Sequence, residues 1–358
     1  METSLVGEKT IAFSIAQEIL TTIVNIPTIP ANGTKIIAIV RQPTDQIDIP
    51  LFVNLMESDP GLYTRILQWA NSPFYAEIDK IVSLRVAITR IGLVEIVSSV
   101  CLHFFKKMLP KFPDIEGFSY DDFWSYSWAC AVANRRLGHP NLGMGVLPGE
   151  LYMTGMLHGV GKLLMAIHKP HEFSLCLKTA REFKLPLHQV EKDVFGTTDS
   201  LVASAVLKSW NLPPNVCQGV AFHQMPELAP PEHVTIAGLT QFAYVIAGIS
   251  GHGCNGDGLS MDLPSTYLGK LPKLQISKPE VQEKLVQEIA NSLNGKAENM
   301  APRPPISQVQ GNRSKKAENS CSAKASPPTE PVKKAYLAGL NLFGDNLCPR
   351  IHFHPWGV

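Results

Sequence analysis

Apolar residues recur along this chain at three- and four-residue intervals, while strict alternation is scarce. That period predicts helices rather than strands. Asp59-Pro60 opens one of them. The carboxylate can accept from free backbone N–H groups, and proline at the first helical position forfeits no needed donor. In GLYTRILQWAN, 61–71, Leu62, Ile66, Leu67 and Ala70 fall on one stripe. Ser72-Pro73 ends that helix, because a residue before proline avoids the helical region. Ser83 is the expected cap of LRVAITRI, 84–91, and Gly92 stops it. VEIVSSVCLHFFKKML, 94–109, carries Ile96, Val97, Val100, Cys101, Phe104, Phe105 and Met108 at the helical period. Lys106 and Lys107 suit the negative end of its dipole.

Pro110 and Pro113 mark a connection. Ser119, with Asp122 three residues on, has the form of a capping box and starts DDFWSYSWACAVANRRL, 121–137. Trp124, Trp128 and Ala131 make a core face there, and Gly138 and Pro140 end the helix. ELYMTGMLHGVGKLLMAIH, 150–168, reads as one helix containing Gly155, Gly159 and Gly161. Pro170, Pro186 and Thr198 begin further helices, punctuated by Gly196 and Asn211-Leu-Pro-Pro. The period persists to about residue 250. IAGLTQFAYVIAGIS, 236–250, is too short to cross a bilayer and contains Thr240 and Gln241, so it reads as a buried helix.

GHGCNGDG, 251–258, reads as a loop. It lacks the Gly-Lys-Ser/Thr of a phosphate loop and the spaced carboxylates of a calcium loop. VQEKLVQEIANSL, 281–293, is one more amphipathic helix. Residues 295–333 are rich in Pro, Ser, Asn and Lys and hold few large apolar groups. Such a stretch buries too little surface to offset its ordering entropy and is expected to be a disordered linker. Residues 334–358 regain apolar groups, and their fold is left open. Cys348, His352 and His354 fall short of the four fixed ligands of structural zinc.

A length of 358 residues allows two domains or one large domain with a tail. The 32 basic and 31 acidic residues nearly cancel, so charge gives no case for nucleic acid or an anionic membrane as partner. Seven cysteines, at 101, 130, 176, 217, 254, 321 and 348, form no CxxC pair. They are expected to be reduced and mostly buried thiols of a cytoplasmic protein. The N-terminus lacks the basic region and small-residue cleavage site of a signal peptide.

GMLHGVGK, 155–162, holds the histidine of greatest interest. Each glycine inside a helix costs about 1 kcal/mol relative to alanine, so three of them imply close approach of a neighbouring backbone. Gly155 and Gly159 lie four apart and share a face. His158 is expected to be buried with one nitrogen hydrogen-bonded. Of the other candidates, His223 ends a helix, where a partly positive imidazole suits the dipole. Asp199, after Thr198 at a helix start, reads as part of a cap. His168 and His171 flank a helix junction and read as exposed. No Ser-His-Asp or Cys-His arrangement emerges from spacing.

Several stretches in order resemble the HDOD family, bacterial signalling modules related to the HD phosphohydrolases. NIPTIPA, 25–31, is similar to the family's leading "LPxLP" element. ESDPGLYTRILQWANSPFY, 57–75, resembles "DPxLxxxxLxxxNSxxY/F", and SLRVAITRIGL, 83–93, resembles "SLxxAIxxLG". FWSYSWACAVANRRL, GMLHGVGKLLM, VFGTTDSLVASAVLKSWNLP and GVAFHQMPE follow in the family's order. The resemblance covers about 20–255. It implies an extension at 1–19, an HDOD domain at 20–255, a helical extension at 256–294, the linker at 295–333 and a last segment at 334–358. The implied fold is all-α, an HD-like bundle in two sub-bundles, one to about residue 110 and one from about 118. Asp59, Pro60, Asn71, Ser72 and Gly92 are family-motif residues with a structural reading.

By position, the family's metal-ligand pattern falls on Tyr126, His158-Gly159, Asp199 and His223-Gln224. Glycine cannot ligate, and neutral tyrosine, with a pKa near 10, ligates poorly. The resemblance therefore implies a degenerate pocket of Tyr126, His158, Asp199 and His223, with no catalytic residue, no metal and no cofactor. The expected function is non-catalytic regulation in the cytoplasm through a signalling protein partner or a small ligand such as a nucleotide. The alternative is a metal-dependent HD-type phosphohydrolase of nucleotides or cyclic dinucleotides. A nucleotide receptor without chemistry is a third class.

Overall fold

Two aspartates and two prolines set two consecutive helices near the start of the chain. Asp48 and Asp59 both sit at N-caps with prolines just after them, and both carboxylates accept backbone N–H groups. The computed structural model describes residues 16, 19, 29, 31–42, 44–72, 80–138, 144–251, 256, 259–260, 263–269, 278–300 and 323–324. In chain order α1 is Ala31–Arg41, α2 Ile49–Glu57, α3 Pro60–Ala70, α4 Leu84–Ile91 and α5 Leu93–Met108. Then come α6 Tyr120–Leu137, α7 Pro148–Leu157, α8 Val160–His168, α9 Pro170–Phe183 and α10 Leu187–Phe195. The series ends with α11 Asp199–Ser209, α12 Pro214–Phe222, α13 Val234–Ile249 and α14 Pro279–Met300. The fold is all-α, as the apolar period predicts. Two-residue strands, Leu259–Ser260 and Ala323–Lys324, add one parallel pairing.

The central layer is α6, packed along α7 and α13; α12 closes on α7 and α13, and α11 lies between α12 and α8. α9 and α10 pair at one side. On the other side, α1 touches both α5 and α7. The buried apolar side chains form one continuous cluster running from Ala16 to Ile289. Trp124, Trp128 and Ala131 are buried in it, as their stripe predicts, and α13 is a buried helix. Cys101, Cys130, Cys176 and Cys217 are buried free thiols. Cys254, Cys321, Cys348, His352 and His354 lie outside the described residues.

The motif residues have physical tasks. Asp59 Oδ1 accepts from Gly61 and Leu62 N–H, while its Oδ2 meets Lys107 Nζ at 2.8 Å. Asn71 closes α3: its Nδ2 donates to Leu67 O and Ile81 O, and its Oδ1 accepts from Ile81 N at 2.7 Å. Ser72 ends the helix beside it, and residues 73–75 lie outside the described ones. Gly92 has φ +99° and separates α4 from α5, which cross it at 112°. A side chain would be strained in that conformation.

Several local expectations are corrected. Residues 150–168 form two helices, because the helix breaks at His158-Gly159. Ser83 occupies the N-cap of α4 without a side-chain capping bond. The last helix extends past 293 to Met300, six residues into the stretch read as linker. α1 and α2 were not singled out by the sequence pattern. His168 is half-buried, and His171 is exposed as expected.

Gly155 shows why glycine was needed in this packing. A Cβ there would lie 2.7 Å from Ala131 Cα and from the Cys130 carbonyl oxygen, both backbone atoms of α6. Gly155→Ala should therefore force α7 off α6 and destabilise the fold by about 1–3 kcal/mol. Urea unfolding measures this, and an unchanged midpoint would contradict the close packing.

Candidate functional site

The break between α7 and α8 decides where the central histidine points. His158 is the C-cap of α7, and Gly159 leaves the helical region at φ −96°, ψ 5°. His158 Nδ1 donates to Gly155 O at 2.7 Å. His223, at the C-cap of α12, repeats the device: its Nδ1 donates to Val220 O at 2.7 Å. The two imidazoles stand edge to face with ring centroids 5.3 Å apart. Tyr244, from α13, lies against both, at 5.6 and 5.9 Å. Tyr126, from α6, is 6.0 Å from His158, and its hydroxyl donates to Tyr244 O at 2.7 Å.

Asp199 joins them at the N-terminus of α11. Thr198, not Asp199, is the cap: its hydroxyl accepts from Leu201 N–H. The Asp199 carboxylate turns inward instead, and its Oδ1 accepts from Gln224 Nε2 at 3.0 Å. Its own N–H donates to Glu191 Oε2 at 2.9 Å. The structure thus brings all four positions of the expected pocket together. Glu191, Lys162, His188, Gln224 and Tyr244 belong to the same cluster. Glu191 and His188 lie three apart on α10 and so share a face.

The centre of the cluster is closed to solvent, whereas His188, Gln224 and Tyr244 at its edge are half-buried. His158 and Lys162 are each 2% exposed, His223 1%, and Asp199 and Glu191 0%. Burial dominates the ionisation of the histidines, because a charge in an apolar interior loses its hydration. Burial and His223 depress His158 to about 3. Burial depresses His188 to about 4 and also lowers His223. Burial thus works against the partly positive His223 expected at a helix end, outweighing the opposing effects of Asp199 and the Val220 carbonyl. The carboxyls part in opposite directions. Burial and the neighbouring Asp199 push Glu191 well above the usual range. Burial also raises Asp199, but Lys162, His223 and hydrogen bonds from Glu191 and Gln224 together hold it below its usual value. Asp199 Oδ2, Glu191 Oε1 and His223 Nε2 meet no hydrogen-bond partner.

The residues present do not fit a hydrolytic metal centre. A Cβ on Gly159 would lie 2.9 Å from Phe123 Cε2, so an aromatic ring stands where a carboxylate at 159 would begin. Tyr126 commits its proton to Tyr244 O. Among the described residues no group of three or more His, Cys, Asp or Glu side chains converges as metal ligands.

The HDOD domain model matches residues 26–226. The chain belongs to the HDOD family. It is similar in fold to an HDOD domain protein of unknown function from Geobacter sulfurreducens (22% identity, TM-score 0.61, covering 81% of this chain and 95% of that one). A candidate signal transduction protein from Marinobacter aquaeolei VT8 has 22% identity and a TM-score of 0.62, covering 76% and 59%. An uncharacterised protein of Treponema pallidum (strain Nichols) is 24% identical over 236 residues, 64% of this chain and 43% of that protein. This HDOD chain thus matches less than half the length of that relative. No single helix among its described residues is long and apolar enough to cross a membrane.

The buried histidines of the HDOD site give a pH dependence. His158 ionises near 6.5 when unfolded and at about 3 when folded, so the unfolded chain binds more protons between those values. Its contribution is fully present above pH 6.5 and is lost as pH falls toward 3, by up to about 1.4 kcal/mol per pH unit. Glu191 has the opposite sign: its stabilising proton is lost as pH rises through its elevated value. Comparing His158→Gln with wild type isolates the histidine. The variant's urea stability should fall less steeply between pH 6.5 and 4.5, and parallel curves would contradict a neutral buried His158.

Proposed function

We propose that this HDOD protein is a non-catalytic regulatory module that acts by binding a signalling protein partner. The observation that carries this reading is the occupancy of its former metal position. Phe123 stands against Gly159, and Tyr126 is bonded to Tyr244. Polar groups from α6, α7, α8, α10, α11, α12 and α13 turn toward one another there, while His223 Nε2, Asp199 Oδ2 and Glu191 Oε1 meet no hydrogen-bond partner. Hydrolysis of a phosphate ester needs a metal-activated water, and the lack of a carboxylate at position 159 weighs against one being held here. A small ligand such as a nucleotide fits less well, because His158, Asp199 and His223 at the centre of the cluster are buried. The likeness to a signal transduction protein from Marinobacter supports the same class of role.

A largely buried cluster that ties seven helices together makes helix packing the quantity a partner would read. Binding would favour one arrangement of these helices over another through its differential affinity. Cytoplasmic action agrees with the absence of a spanning helix among the described residues.

Metal analysis and turnover test the reading. Protein purified with manganese or ferrous iron should retain well under one equivalent after gel filtration. A panel of nucleotides and cyclic dinucleotides should show no hydrolysis above that of His158→Ala. Stoichiometric metal together with turnover lost in His158→Ala would overturn the proposal in favour of a phosphohydrolase.

A further inference from the structure

Beyond the residues matched by the family, Leu263–Gly269 is seated on α13. Leu268 and Leu263 are buried, and Thr266 is fully buried. Thr266 organises the turn: its hydroxyl donates to Leu263 O at 2.6 Å and accepts from Gly269 N–H at 3.0 Å. The segment fits over Gly238, where a Cβ would lie 3.2 Å from Leu268 Cγ and from Tyr267 Cδ1. One polar side chain of α13 faces both ways. Gln241 Oε1 accepts from Tyr267 N–H at 2.7 Å, and Gln241 Nε2 donates to Gln224 O at 3.2 Å. The Gln224 side chain then donates to Asp199 Oδ1, and the Asp199 N–H donates to Glu191 Oε2.

An unbroken run of hydrogen bonds therefore joins the segment after α13 to α10, through the cluster that contains His158 and His223. We propose that Leu263–Gly269 is a strap on α13 whose release is transmitted through Gln241 and Gln224 to the buried cluster. The geometry gives the transmission a physical basis. Gln241 is nearly buried, so losing Tyr267 N–H would leave its carbonyl oxygen desolvated and unpaired. Its amide then re-orients or admits water, and the hold on the Gln224 backbone is lost. Gln224 follows His223, so the C-terminal cap of α12 and the N-terminus of α11 loosen together. A partner that displaced the strap would act on the cluster without entering it; this consequence rests on the regulatory reading above, whereas the coupling does not.

Hydrogen exchange on the full chain tests the coupling. Leu268→Ala weakens the strap's seat and leaves the side chains of Gln241, Gln224, Asp199 and Glu191 unchanged. Gln241→Leu cuts the run itself. Both should speed exchange at least tenfold in segments 197–201 and 222–226, leaving α6 at wild-type protection. If Leu268→Ala speeds exchange in 263–269 alone, there is no transmission and the proposal fails. If it speeds α6 equally, the strap is part of the cooperative core, and the proposal fails for that reason. Neither result bears on metal content or turnover, so the functional reading stands or falls separately.

Discussion

The backbone contact between α6 and α7 is the constraint on which the rest of the structure depends. Gly155 lets α7 approach until its backbone meets that of Ala131. Two consecutive residues of α6 then fasten the neighbours at that spacing. Asn134 Nδ2 donates to Leu151 O on α7 and to Thr240 Oγ1 on α13, both at 2.9 Å. Arg135 reaches the other way, donating to Ser98 Oγ and Val94 O, with Glu95 at 3.6 Å and the Tyr152 ring under its guanidinium. Tyr152 OH in turn donates to Ser98 O at 2.8 Å. A buried guanidinium is tolerable only when its donors are satisfied, and these partners come from both halves of the bundle. The early helices are thereby tied to the late ones through α5, α6 and α7.

That same approach explains the site. With α7 fixed against α6, its C-terminal end delivers His158 next to Tyr126, and the glycine after it meets Phe123. Gly161 repeats the device on the far side: a Cβ there would lie 1.8 Å from Asp199 O. Two glycines six residues apart thus set α7 on α6 and α8 on α11, and His158 stands between. Inside the cluster, Lys162, His223 and hydrogen bonds lower Asp199, while burial raises Glu191 and lowers the imidazoles. A buried group of this kind specifies one arrangement of its helices, because any slip leaves a desolvated polar atom without a partner.

The sequence was most legible where local chemistry acts alone. Asp59-Pro60, Ser119, Gly92 and Gly196 mark helix ends through capping or positive φ, and each does so here. The apolar period located the core helices from α3 to α13. The four pocket positions came together as their family resemblance implied. Glu191 was illegible, because in LHQVEKDVF it reads as one more polar residue on a helix, and only the fold shows it fully buried against Asp199. Its spacing from His188 was the one available signal. The break at His158-Gly159 was equally hidden, since the glycine lies inside an unbroken apolar pattern. The role of Thr198 was visible in the sequence, but whether Asp199 shared the cap depended on where its carboxylate turned.

The identity of residue 159 therefore carries more than the loss of a ligand. Had Gly159 been replaced by a bulky apolar residue, α8 would have been forced away from Phe123 and the seat of His158 would have changed. Glycine removes the carboxylate and also admits the Phe123 ring, so the space is filled by packing rather than by solvent. The histidines survive because each one closes the C-terminal end of its own helix by donating to a carbonyl three residues earlier. That task needs a ring N–H at a fixed position and does not need a metal. Such residues serve the fold in their own right, and they form a polar core at which neighbouring helices meet.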